Sequence, residues 1–192
     1  TDQYGREIYT WTWALHKADY FADKLIYQEA VKKSAKATQD ENLVTLKSDK
    51  VTLKLNTQTG YITEVNSQKR NIPFVNGPKP IGMKADVEKV TLTQEGKNAV
   101  CRIDYNGGID HITWTMYPDG RVHMKMIALK NAGRNSGFDG AFYEGDIDKF
   151  GITFDFPEEG VEGITLFGRG PYHTWRNRLQ GIEYGIWEKE YN

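Results

Sequence analysis

Between Gly168 and Arg178 the chain gathers Arg169, Tyr172, His173, Trp175, Arg176, Asn177 and Arg178. Aromatic faces stack on the C–H surfaces of sugars, and Arg and Asn donate hydrogen bonds to hydroxyls, so this set has the make-up of a carbohydrate-contacting edge. The same residues also suit a corner loop locked by packing of Arg against Trp, and their types alone leave both readings open. Other chemistries find less support. His16, His111, His123 and His173 are scattered with no pair at i and i+4, so the helical zinc-protease spacing is absent. Cys101 is the only cysteine, which excludes an internal disulfide and a Cys-based zinc site; inside an apolar strand it reads as a small core residue. Glu144, Asp146 and Asp148 lack the further oxygen ligands and the closing Glu of a calcium hand, and read as a surface cluster. No Gly-x-Ser-x-Gly elbow occurs, and Gly168-Arg169-Gly170 runs into Pro171 and not into Gly-Lys-Ser/Thr, so it is not a phosphate loop. No residue is assigned a catalytic or metal-binding role.

The elements that must position these residues read as strands. Tyr9, Trp11, Trp13 and Leu15 alternate on one face of a first strand, and Phe21, Leu25, Ile26 and Ala30 follow at near-helical spacing. The polar stretch Lys32 to Glu41 then reads as a linker. From Leu43 onward the period is two. Val51, Leu53 and Leu55 share a face before the turn Asn56-Thr57-Gln58-Thr59-Gly60, and a strand returns from Tyr61 to Val65. A second pair covers Val87 to Thr93 and Ala99 to Tyr105. A third meets at Pro118-Asp119-Gly120, with Ile112, Trp114 and Met116 on one side and Val122, Met124 and Met126 on the other. The region Ala132 to Asp148 loses alternation and reads as a long surface loop. Strands resume at Phe150 to Pro157 and Ile164 to Phe167, and the chain ends in an aromatic strand, Tyr184 to Trp187. Regular strands without alternating helices predict an all-β, antiparallel β-sandwich.

Composition narrows the partners. With 192 residues the chain is too short for a (β/α)8 barrel, whose usual size is about 250. Its 25 basic side chains nearly cancel 26 acidic ones, which disfavours a nucleic-acid partner. No run approaches the about 20 apolar residues that cross a bilayer, so no membrane partner is expected and the chain reads as soluble, with cytoplasm and periplasm both open. The start, Thr-Asp-Gln-Tyr-Gly, has neither an initiator Met nor a leader pattern, so the chain reads as a fragment or a processed product.

Phe167-Gly168-Arg169-Gly170-Pro171-Tyr172-His173-Thr174-Trp175-Arg176-Asn177-Arg178 resembles the Gly-Pro block of the C-terminal small-chain domain of glycoside hydrolase family 2 β-galactosidases. Phe150 to Pro157 is similar to the strand that precedes this block in the family, Val51 to Phe74 to the hairpin that opens the domain, and Tyr9 to Leu15 to the end of the immunoglobulin-like domain before it. The resemblance implies a galactose-mutarotase-like sandwich, with residues 1–42 closing an immunoglobulin-like domain plus linker and residues 43–192 forming a small-chain domain left incomplete at its C-terminus. It implies a parent enzyme that hydrolyses terminal, non-reducing β-galactosides with retention, through two carboxylates about 5 Å apart. In the family that pair sits in a central barrel, so this part is expected to be inactive alone and to supply pocket wall and subunit contacts.

Its implied partners are the barrel and immunoglobulin-like domains of the parent, carbohydrate, and further copies in a homo-oligomer. Parent enzymes often use Mg and Na ions, and none is expected in this part. The resemblance makes Arg169, Tyr172, His173, Trp175, Asn177 and Arg178 the pocket-wall candidates. Three positions depart from the block: His173 stands for Glu, Trp175 for Tyr and Asn177 for Asp, so two negative charges are lost and Arg169 and Arg178 need other acceptors or stay solvated. A stand-alone carbohydrate-binding module using Tyr172, Trp175 and Trp187, and an aldose epimerase pairing His123 with Glu144, are the alternatives.

Overall fold

The computed structural model describes residues 2–6, 15, 32–68, 70–128, 151–170 and 182–191. The strand expected over Tyr9 to Leu15, apart from Leu15 itself, the helical spacing from Phe21 to Ala30 and the loop Ala132 to Asp148 lie outside these residues. Two compact units are present: residues 28–157, and residues 1–27 together with 158–192.

In the first unit, β1 (Lys36–Asp40), β2 (Leu43–Lys47), β3 (Val51–Asn56), β4 (Ile62–Ser67) and β5 (Asn71–Ile72) form a five-stranded antiparallel sheet in sequence order. After β6 (Val75–Ile81) come β7 (Ala85–Glu95), β8 (Asn98–Gly107), β9 (Ile109–Met116) and β10 (Val122–Ala128), which form a four-stranded antiparallel sheet. β11 (Gly151–Asp155) pairs with β6. Every pair is antiparallel, so one face of each sheet is free to be apolar while the other stays polar.

Alternation decides which face that is. Leu53 and Leu55 on β3 join Val44, Leu46 and Ile62 of the same sheet. Opposite them stand Cys101, Ile103 and Tyr105 of β8 and Ile112, Trp114 and Met116 of β9, all buried in one cluster. The two sheets therefore form a β-sandwich of the expected kind. Each fully buried Leu or Ile contributes about 1.5–3 kcal/mol through removal of apolar surface from water. Register agrees with the sequence pattern: Met116 faces Val122, Trp114 faces Met124 and Ile112 faces Met126. Cys101 is fully buried, and desolvation pushes its thiol up to about 12, as a core residue requires.

Two elements differ from the sequence pattern. Part of the stretch read as a linker is strand β1, paired with β2 from Lys36–Lys47 to Asp40–Leu43. It carries no apolar alternation because only Ala37 packs on the core; its side chains are otherwise exposed and polar, as suits a sheet edge protected against pairing with other chains. β6 contains Pro78 and Pro80, which argue against a strand. Among the described residues it pairs only with β11, so its other side demands no N–H donors from them, and Phe74 stacks on Phe154 at 4.4 Å beside it.

The β9–β10 turn closes as its Pro-Asp-Gly sequence predicts, with Gly120 at φ +92. Asp119 Oδ1 accepts the Arg121 backbone N–H at 3.0 Å, and Oδ2 accepts Arg121 Nε at 2.7 Å. Burial works against the Asp119 carboxylate, but the backbone and guanidinium donors of Arg121, with Lys50 adding positive charge, outweigh it and hold the carboxyl below its usual value. A carboxyl with a lowered pKa in the folded state stabilises the fold above the ordinary value of 3.8, and that stabilisation disappears as pH falls through the lowered value. Asp119→Asn is accordingly expected to cost about 1 kcal/mol at pH 7. Denaturant titrations at pH 7 and below pH 3 should show the difference from the native chain shrinking at acid pH.

In the second unit, β12 (Gly163–Gly170) and β13 (Glu183–Glu190) form a two-stranded antiparallel ribbon, preceded by one 3-10 turn at Glu158–Gly160.

Candidate functional site

The ribbon carries the start of the aromatic and Arg-rich block. Directly opposed residues share a face, so the pairs Arg169–Tyr184, Phe167–Ile186 and Thr165–Glu188 lie on one side and Leu166–Trp187 and Gly168–Gly185 on the other. Arg169 is exposed, with its guanidinium carbon 5.1 Å from the centre of the Tyr184 ring, a cation–π contact. On the opposite face the Trp187 indole lies along glycines. A Cβ on Gly170 would meet its ring atoms at 2.6 Å, so the flat approach of the indole requires glycine there; one on Gly185 would come to 3.3 Å, a tight contact that the ring would have to relieve by a few tenths of an ångström. Trp187 Nε1 donates to the Gly168 carbonyl at 3.0 Å, which fixes the ring.

Of the six candidate residues the structure thus places Arg169, on the face opposite Trp187. Tyr172, His173, Trp175, Asn177 and Arg178 lie outside the described residues. His123 is exposed on β10, consistent with a solvent-facing histidine, and Glu144, its counterpart in the epimerase alternative, lies outside the described residues.

A polar groove that the sequence pattern did not single out lies on the four-stranded sheet. Glu88, Lys89, Asp104, Tyr105 and Asp110 line about 460 Å³ of open space. It arises where β7 bulges between Val87 and Lys89, which turns Glu88 out of register with β8. Asp104 is held by Arg102 at 2.7 Å and Asp110 by His111 Nδ1 at 2.5 Å, so two of these carboxylates already have basic partners. The one available signal was the outward alternation of Arg102 and Asp104 on β8, and polar outward positions are common to any half-exposed sheet. Tyr105 points the other way, into the core, where burial pushes its phenol above the usual value and its hydroxyl has no hydrogen-bond partner. Among the described residues no group of three His, Cys, Asp or Glu side chains converges.

Residues 83–192 match the family described as the beta galactosidase small chain. The chain belongs to that family. The matched stretch is more than half of the chain and takes in β7 to β13; the five-stranded sheet and β6 precede it. No curated protein matches the chain. The small-chain match makes it the C-terminal small-chain region of a β-galactosidase, a part that sits with other domains of a parent enzyme. Among the described residues no helix is long and apolar enough to cross a membrane.

Proposed function

We propose that this small-chain region is a non-catalytic part of a retaining β-galactosidase, and that it contributes wall to the active-site pocket and contacts between subunits. The match over residues 83–192 carries this reading. Retention needs two carboxylates about 5 Å apart, one nucleophilic and one able to exchange a proton with the leaving group. In the polar groove Asp104 and Asp110 are each engaged by a basic neighbour, which favours a structural role for both. The reacting pair is therefore assigned to a barrel domain of the parent.

The wall is assigned to Tyr172, His173, Trp175, Asn177 and Arg178, with Arg169 at the root of that set. Trp175 would stack on the C–H face of a galactosyl ring while Asn177 and Arg178 donate to its hydroxyls. His173 and Asn177, standing where the block has carboxylates, make the pocket less negative and shift its preference among β-glycosides.

The test is kinetic. The chain alone is expected to release nitrophenol from an aryl β-galactoside no faster than buffer does, and turnover above that rate would overturn the non-catalytic assignment. In the full-length enzyme, Trp175→Ala is expected to raise KM about tenfold through lost uniform binding, and unchanged kinetics would remove Trp175 from the wall.

A further inference from the structure

Asn-Gly occurs at Asn76-Gly77 and at Asn106-Gly107. In this dipeptide no Cβ shields the glycine nitrogen, which can reach the side-chain carbonyl of the asparagine and makes that residue chemically labile. The fold treats the two places differently. Asn106 and Gly107 lie in register with Asp86 and Ala85 of β7. On β6, Lys79 faces Thr153 and Val75 faces Asp155, so Asn76, Gly77 and Pro78 stand together opposite Phe154, outside the paired register. Asn76 is exposed, with a left-handed backbone at φ +54, and its Nδ2 donates to Asp155 Oδ2 at 2.8 Å.

We propose that Asn76 is a site of spontaneous deamidation and that its conversion unlocks β11 from β6. The Gly77 nitrogen gives its proton to solvent base and bonds to Asn76 Cγ. The bond from Cγ to Nδ2 breaks, and Nδ2 takes up a proton and leaves as ammonia. Water then opens the cyclic imide at either carbonyl, which yields aspartate or isoaspartate. One water is consumed and one ammonia released, so the step needs no oxidant, reductant or cofactor.

Both products disturb the same seam. Each replaces an amide donor with a carboxylate, so the hydrogen bond to Asp155 is lost and a second negative charge stands near it; Lys79 Nζ, 3.8 Å from the same Asp155 oxygen, offsets only part of the repulsion. Isoaspartate also adds one main-chain atom immediately before Gly77. There is no room for it: even a Cβ on Gly77 would overlap the Phe154 ring and come within 2.5 Å of the Thr153 carbonyl oxygen. Phe154, stacked on Phe74 at 4.4 Å, must then shift, and β11 moves with it. The inference rests on β6 and β11 alone, so a failure of the catalytic assignment would leave it untouched.

Ageing of the full chain in mildly alkaline buffer, followed by peptide mapping with mass spectrometry, tests the site. Aspartate and isoaspartate are expected to accumulate at position 76 at a rate within about tenfold of that in urea, because an exposed residue outside the paired register needs little local opening to react. No conversion, or a folded chain slower than the unfolded one by more than about tenfold, overturns the site. Hydrogen exchange tests the consequence. In the converted fraction, separated by its added negative charge, the amides of β11 are expected to exchange at least about tenfold faster than in the fresh chain, and in Asn76→Asp, which brings the charge without the extra main-chain atom, at least about threefold faster. Amides of β11 that keep their native exchange in the converted fraction, or in Asn76→Asp, overturn the unlocking.

Discussion

Trp114→Ala is expected to remove about 3 kcal/mol of stability, the low end of the about 3–5 kcal/mol usual for truncating a buried large aromatic side chain. Trp114 is 4% exposed on β9, in the row that joins Cys101 of β8 to Met124 of β10, and its ring fills the space between the two sheets. Alanine would leave a cavity lined by side chains that strands on both sides hold in place, so little of it can collapse. One term works the other way. The indole Nε1 is buried without a hydrogen-bond partner, and an orphaned donor costs about 1–3 kcal/mol, which the truncation recovers. Trp114→Phe separates the two: it keeps most of the volume and loses the orphaned N–H, so it should cost under about 1.5 kcal/mol. Urea denaturation followed by far-ultraviolet circular dichroism measures both. A loss below about 1 kcal/mol for the alanine variant would show that the sheets do not pack through Trp114. Domains commonly hold only about 5–15 kcal/mol in total, so the expected loss is a large part of the whole.

The pairs that build the sandwich could be read from the sequence because burial on one face writes period two into it. Leu53 and Leu55, Cys101 and Ile103, and Trp114 and Met116 are all buried at the alternate positions where the pattern puts them. β1 and β6 escaped for opposite reasons. β1 buries almost nothing, so no alternation is imposed on it, and only backbone pairing with β2 makes it a strand. β6 carries prolines that a central strand would reject, and tolerates them because, among the described strands, β11 alone pairs with it.

At the candidate site the contrast is sharper. Arg169 stood out by its neighbours in sequence, yet its partner is Tyr184 across the ribbon, a contact between segments that no local spacing reports. The groove of Glu88, Asp104 and Asp110 needed a β-bulge to form, and a bulge leaves no hydrophobic signature when the extra residue faces solvent. The family assignment, by contrast, was within reach of the sequence, because a Gly-Arg-Gly-Pro block fixes backbone shape through residue types and needs no tertiary information.

Gly60→Ala is expected to cost about 2–5 kcal/mol, from two sources that a second substitution can tell apart. Gly60 ends the β3–β4 turn at φ +74, where Asn56 organises the backbone: its side chain accepts the N–H groups of Gln58 and Thr59, and its carbonyl accepts that of Gly60 at 2.8 Å. A left-handed conformation costs an ordinary residue about 1–2 kcal/mol. The rest is steric. A Cβ at Gly60 would overlap the Tyr105 hydroxyl and come within 2.9 Å of Cζ and 3.3 Å of Cε1, and the ring, 7% exposed in the core, has no room to swing aside. Tyr105→Phe removes the overlapping oxygen and gives up no hydrogen bond, because that hydroxyl has no partner; alone it should be neutral or stabilising by up to about 1 kcal/mol. Combined with Gly60→Ala it should return about 1–2 kcal/mol of the loss, and not all of it, since the Cζ contact and the backbone strain remain. The four unfolding free energies of this cycle give the coupling directly. Strict additivity would mean that the turn and the Tyr105 ring do not meet, and that the cost of Gly60→Ala is backbone strain alone.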